Sequence, residues 1–198
     1  MRTIASFALL LCVQCLSLAD TVKQVEGVQA EVHTAYYEVT GDSVHQLHAQ
    51  MSERGPVEKD GKRYFAKTDW LIKWQYRSEN RQGRAVLTQV SVSVDVKYEL
   101  PHWPQPATAG GRLSAEWTRF STALMTHERG HADNALQHAK KLDAKLRKHG
   151  PFANREAMEA FVAEQGNQCV AEANAADLEY DRRTGHGAKQ GAKLNVTE

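Results

Sequence analysis

Two stretches of strict alternation restrict what this chain can fold into more than any other feature. Tyr64, Ala66, Thr68, Trp70, Ile72, Trp74 and Tyr76 share one parity, with Lys67, Asp69, Lys73, Gln75 and Arg77 on the other. After a polar loop through Asn80 and Gly83, Val86, Val90, Val92, Val94, Val96, Tyr98 and Leu100 again share a parity, against Gln89, Ser91, Ser93, Asp95, Lys97 and Glu99. A period of two sends successive side chains to opposite faces of a strand, so each segment buries one face, most simply as an antiparallel hairpin. Aromatic and β-branched residues suit that half-buried surface, and Trp70, Trp74, Tyr64 and Tyr76 are read as its core face.

The period changes after Pro101–Gly111. From Ser114, an expected N-cap, Trp117, Phe120, Leu124, Ala135, Leu142 and Leu146 recur at helical spacing up to His149, where Gly150-Pro151 ends the run. Asn154 is expected to cap a second helix that turns Met158, Phe161, Val162, Cys169, Val170 and Ala173 inward and continues to about Tyr180. Upstream, residues 29–39 are apolar enough for a first strand, and Asp42 or Ser43 caps a short helix reaching about Arg54 before Gly55-Pro56. The expected class is α+β: a small antiparallel sheet with a long hairpin packed on two long helices.

The chain opens with a short positive start and an apolar run, Phe7 to Val13, closing on Ser17-Leu18-Ala19. Small residues at the two positions a signal peptidase reads, with an apolar core too short to anchor in a bilayer, predict a cleaved leader at 1–19. Residues 20–187 then form one domain and 188–198 a flexible tail. The mature chain has 198 − 19 = 179 residues, and losing Arg2 leaves 25 − 1 = 24 basic against 24 acidic residues. That balance offers no basic field for nucleic acid, and no stable membrane insertion is expected after cleavage. Cys12 and Cys15 leave with the leader, so Cys169 remains without an internal disulfide partner and reads as a buried, inert thiol. The expected location is periplasmic or secreted.

Within the helical stripe, His127 and His131 stand between Leu124 and Ala135. An i, i+4 spacing stacks two imidazoles one turn apart on one face, where both reach a single ion. Glu128 is rotated by about one hundred degrees from His127, so it stands beside the ion without coordinating it. This is the HExxH arrangement of zinc peptidases, in which zinc lowers the pKa of water and polarises the scissile carbonyl while the glutamate shuttles the proton. Burying both histidines without a metal would require several hydrogen-bond partners. A third ligand is needed, and the positions three and six residues after His131 hold Asn134 and Gln137 rather than glycine and histidine. His138 lies about 10 Å along the axis, too far to share the ion. Two candidates remain: Glu172 on the second helix and His186 in a glycine-flanked loop.

The segments YYEVTGDSVHQLHAQMSERGP, AKTDWLIKWQY, THERGHADNA and YDRRTGHG, in that order, resemble a bacterial family of unknown function described as predicted secreted zinc-dependent proteases. The resemblance runs from about Tyr37 to Gly187. It implies one zinc ion per chain and draws the Tyr180-Asp181 to His186-Gly187 segment into the site. His186 would complete a three-histidine set and is preferred to Glu172. Asp181 or Tyr180 would orient a ligand, or Tyr180 would donate to an oxyanion, although a core anchor is the plainer role for Tyr180. The function expected is a metallopeptidase that hydrolyses peptide or protein substrates through zinc-activated water. Its metal is held by His127, His131 and His186, with Glu128 as general base and acid. The rival readings are a zinc-stabilised envelope scaffold or binding protein and a zinc amidase acting on envelope peptides.

Overall fold

The two alternating segments emerge as long paired strands, and the computed structural model describes residues 18–25, 27–57, 61–105 and 110–195. In chain order the elements are β1 (Leu18–Val25), β2 (Val28–Glu38), α1 (Val44–Arg54), β3 (Lys67–Arg81), β4 (Arg84–His102), α2 (Gly111–Lys148) and α3 (Arg155–Thr184), then a single 3-10 turn, Ala188–Gln190. The class is α+β, as alternation followed by helical periodicity implies. β3 and β4 pair antiparallel from Lys67↔Glu99 to Arg81↔Arg84. Gln82 (φ 54°) and Gly83 (φ 80°) make the two-residue turn, both in the left-handed region that a tight hairpin of this hand requires.

Two details of the sheet differ from the expectation. The sheet order is β1-β2-β4-β3, and β2 runs parallel to β4, so the sheet is mixed rather than antiparallel. Alternation reports which face a strand buries but not its direction. Here α1 leaves the chain at the end of the sheet where β2 finished, so β3 runs opposite to β2, and β4, reversing again, lies parallel beside β2. The second difference is at Val86. A register shift between Arg77 and Ser78 inserts one extra residue on β4. Beyond it the parity inverts, so Ala85 and Leu87, not Val86, pack with Phe152 and Met158 in a small second cluster.

Val90, Val92, Val94, Val96, Tyr98 and Leu100 of β4 are all buried, and Trp117, Phe120, Leu124, Ala135, Ala139, Leu142 and Leu146 of α2 lie against them in one core. The α3 helix packs along α2 with Val162, Cys169 and Ala173 inward. Gly166 of α3 lies against β3, where a Cβ would collide with the Trp74 indole. Burial pushes the free Cys169 thiol up to a pKa of about 11, consistent with an inert core residue.

The helix ends follow side-chain chemistry with one exception. Ser43 Oγ accepts from Gln46 N (3.3 Å), and Asn154 Oδ1 accepts from Ala157 N (2.8 Å), each satisfying a first-turn amide. Asn154→Ala is expected to lower unfolding free energy by about 1 kcal/mol, read from the urea midpoint at unchanged slope. The exception is α2, which begins one turn before Ser114: extended Gly110 takes the cap position, and Ser114 N already bonds its carbonyl.

The residues expected to form a mobile tail are packed as far as Asn195. Ala192 is 8% and Leu194 2% exposed. Arg119 donates to the carbonyls of Gly191 and Lys193, and Glu116 accepts from Asn195 N. A buried leucine and these main-chain bonds outweigh the local preference for disorder that glycine and lysine suggest. Residues 196–198, and the expected leader except Leu18 and Ala19, lie outside the described residues. Leu18 and Ala19 open β1, a strand that the sequence pattern did not indicate. Among the described residues, no helix is long and apolar enough to cross a membrane.

Candidate metal centre

The inward stripe of α2 carries polar side chains at one level. His127 and Glu128 are each 4% and His131 9% exposed. The i, i+4 spacing brings the two imidazole Nε2 atoms to 3.4 Å. Facing them, the inner face of α3 continues from Ala173 at four-residue steps through Asp177 and Asp181. Asp181 Oδ1 lies 3.2 Å from His127 Nε2 and 3.2 Å from His131 Nε2. Three donor atoms therefore converge from two antiparallel helices, a grouping fit to hold a metal ion.

The fit can be tested on these distances. Ligands about 2.0–2.1 Å from a tetrahedral zinc stand about 3.3–3.4 Å from one another, close to the 3.2, 3.2 and 3.4 Å separations here. Asp181 Oδ1 is buried without a hydrogen bond of acceptable geometry, although both Nε2 atoms are within reach. An orphaned buried carboxylate oxygen is costly unless a cation completes it. Two imidazoles and one carboxylate also suit zinc chemically, and three protein ligands is the number found in catalytic zinc sites.

Each of the three residues has an outer partner. His127 Nδ1 lies 2.9 Å from Gln190 Oε1, an acceptor that leaves Nε2 free to face the cluster. His131 Nδ1 faces Asp177 Oδ1 at 3.2 Å, and Asp177 is itself held by Trp70 Nε1 and Asn134 Nδ2. His186 Nδ1 lies 3.5 Å from Asp181 Oδ2. Burial disfavours charge on His131, but Asp177 and Asp181 at its two nitrogens outweigh burial and raise its pKa to about 10. Asp181, disfavoured as an anion by burial, is nevertheless held well below the usual carboxylate range by His127 and His131. The pocket stabilises positive charge between these groups.

Glu128 lies on the flank of α2 that meets the sheet. Thr68 Oγ1 on β3 donates to Glu128 Oε2 at 2.6 Å. Burial raises the Glu128 pKa, partly offset by that bond and by the two histidines. On the opposite flank Tyr180 stacks on His127, with ring centroids 5.1 Å apart and planes within 10°, and meets His131 edge-on. Two glycines make room. A Cβ on Gly130 would overlap the Tyr180 hydroxyl, and one on Gly187 (φ 78°) would press on the His127 ring.

His127, Glu128 and His131 thus stand where their spacing placed them, whereas the two candidate third ligands do not reach the cluster. Helix α3 continues beyond Tyr180 to Thr184, so Asp181 still faces inward and left-handed Gly185 turns the chain away. His186 follows with a positive φ of 50°, its side chain 56% exposed at the mouth beside Tyr64. Glu172 is nine residues before Asp181, about 13.5 Å along the axis, and bonds Gln168 on the exposed face. Asp181 instead completes the cluster of donor atoms with the two histidines. One signal could have found it: Asp177 and Asp181 repeat on α3 the i, i+4 spacing of the histidines on α2, in line with buried Ala173. Thr68 and Trp70 carry the inward parity of β3 but nothing that marks a site, and Gln190 has no sequence signal.

A family described as bacterial protein of unknown function (DUF922) matches residues 34–187, more than half of the chain. No curated protein and no solved structure matches significantly.

Proposed function

The chain belongs to the DUF922 family, whose description leaves the chemistry open, and we propose that it is a zinc-dependent hydrolase of peptide bonds acting in the periplasm or outside the cell. The observation that carries this reading is the convergence of His127 Nε2, His131 Nε2 and Asp181 Oδ1 beside a buried glutamate. A structural zinc site has no use for a carboxylate in that position. His127, His131 and Asp181 would hold the metal. Bound zinc supplies Lewis acidity, lowering the pKa of water and polarising the scissile carbonyl.

The chain's own residues do the rest. Thr68 occupies Oε2 of Glu128 and fixes the carboxylate plane, leaving Oε1 to take the proton of the attacking water and return it to the leaving amine. Asp177 holds the His131 imidazole in the orientation that points Nε2 at Asp181. Tyr180 closes one side of the site by stacking on His127.

The test is zinc content by mass spectrometry together with hydrolysis of casein and of a quenched peptide library, on the parent and Glu128→Gln. About one zinc per chain is expected in both, with hydrolysis lowered about 10²–10⁴-fold in Glu128→Gln. A zinc-loaded parent that cleaves nothing beyond its chelated control would remove the catalytic reading and leave a zinc-stabilised scaffold.

A further inference from the structure

Gln190 lies past the family-matched segment, which ends at residue 187. It sits in the 3-10 turn of the C-terminal strap. Its amide spans the flank of the metal centre: Oε1 is 2.9 Å from His127 Nδ1, and Nε2 donates to the Tyr180 hydroxyl at 3.0 Å. A glutamine can accept and donate at once, and here it joins a candidate ligand to the ring stacked on that ligand. The strap that carries it is fastened to α2 at several points. Arg119 donates to the Gly191 and Lys193 carbonyls, Glu116 accepts from Asn195 N and chelates Arg119 through two hydrogen bonds, and Leu194 is buried. Gly187 lets the strap cross directly over the His127 ring. These anchors all follow Gln190 in the chain and fix the strap without themselves touching the cluster.

We infer that Gln190 is a positioning residue of the metal centre, fixing the His127 ring and the Tyr180 hydroxyl together, so that the C-terminal strap is part of the site. The role in metal affinity rests on the zinc reading proposed for this cluster. The bond to His127 does not. A neutral acceptor at Nδ1 keeps the proton there and Nε2 available, as the outer partners of ligating histidines do. Because Gln190 itself is exposed, replacing its side chain should leave the core folded and the two histidines and Asp181 present but loosely aimed.

The experiment uses the full mature chain as parent, Gln190→Ala, Gln190→Glu and Leu194→Ala. Zinc affinity is measured by chelator competition, thermal midpoint on the metal-free protein, and the His127 Nδ1–H resonance by ¹⁵N-edited NMR on the metal-free protein. The expected result is a zinc affinity about 10–100-fold weaker in Gln190→Ala, with its metal-free midpoint unchanged. The slowly exchanging Nδ1–H resonance of the parent should be lost in Gln190→Ala, and both readouts should return in Gln190→Glu, which keeps the acceptor oxygen. Leu194→Ala should lower the midpoint, the pattern a merely structural strap would also give for Gln190→Ala. Zinc affinity within about twofold of the parent in Gln190→Ala, or an unchanged Nδ1–H resonance, overturns the inference. A parent that takes up no zinc defeats the metal reading instead, and the resonance then decides the positioning role by itself.

Discussion

Asp181→Ala is expected to weaken zinc binding by about two orders of magnitude or more, whereas His186→Ala should cost less than about tenfold and Glu172→Ala nothing measurable. An apparent zinc binding energy of about 10–16 kcal/mol, divided over four coordination positions, puts about 3 kcal/mol on each ligand. A factor of ten corresponds to about 1.4 kcal/mol, so losing one ligand removes about 10²-fold. Asp181 Oδ1 faces both Nε2 atoms at 3.2 Å, while His186 reaches only the other oxygen, Oδ2, at 3.5 Å. On the proposed reading, His186 orients Asp181 and does not itself supply a ligand. Chelator competition on the three variants separates the alternatives. Loss of zinc in His186→Ala with retention in Asp181→Ala would restore a three-histidine site and refute the arrangement described here.

The second large effect belongs to Gly130, between Glu128 and His131 on α2. Two contributions oppose each other. Alanine in place of a glycine inside a helix is worth about 1 kcal/mol in favour of folding. Against that, the new methyl would occupy the space of the Tyr180 hydroxyl. That hydroxyl terminates a ring stacked on His127 and bonded by Gln190, so it cannot swing aside cheaply. Overpacking of this kind costs about 1–3 kcal/mol, and the clash with a braced ring belongs at the upper end. The net expectation for Gly130→Ala is a loss of about 1–2 kcal/mol by urea denaturation, with zinc affinity lowered because Asp181 shifts with Tyr180. In a Tyr180→Ala background the clash partner is gone, and Gly130→Ala should become stabilising. Destabilisation that persists there would show that Tyr180 is not what the glycine accommodates.

Both results turn on contacts between helices that are distant in sequence, and this is where reading the chain in one dimension stopped. Local periodicity made most elements visible. The hairpin of β3 and β4, the caps Ser43 and Asn154, and the burial of His127 and His131 on the stripe of α2 all follow from spacing along a single element. The α+β class followed as well. The direction of β2 did not, because alternation is the same whichever neighbour a strand takes. Nor did the inverted parity around Ala85 and Leu87, since a single-residue bulge leaves no mark in composition.

For the site, the sequence by itself determined the two histidines and the glutamate: an α-helix of fixed pitch brings residues four apart onto one face whatever surrounds it. The third member of the cluster was a matter for the tertiary structure. Which carboxylate or imidazole arrives opposite those histidines depends on how α3 lies along α2 and where Gly185 ends it, and that is set by the packing of Gly166 on Trp74 and Gly130 on Tyr180. Thr68 and Gln190 reach the same few ångströms from a sheet and a C-terminal strap, 60 residues from Glu128 and 63 from His127. Pitch is a property of one segment, while convergence is a property of the whole packed core.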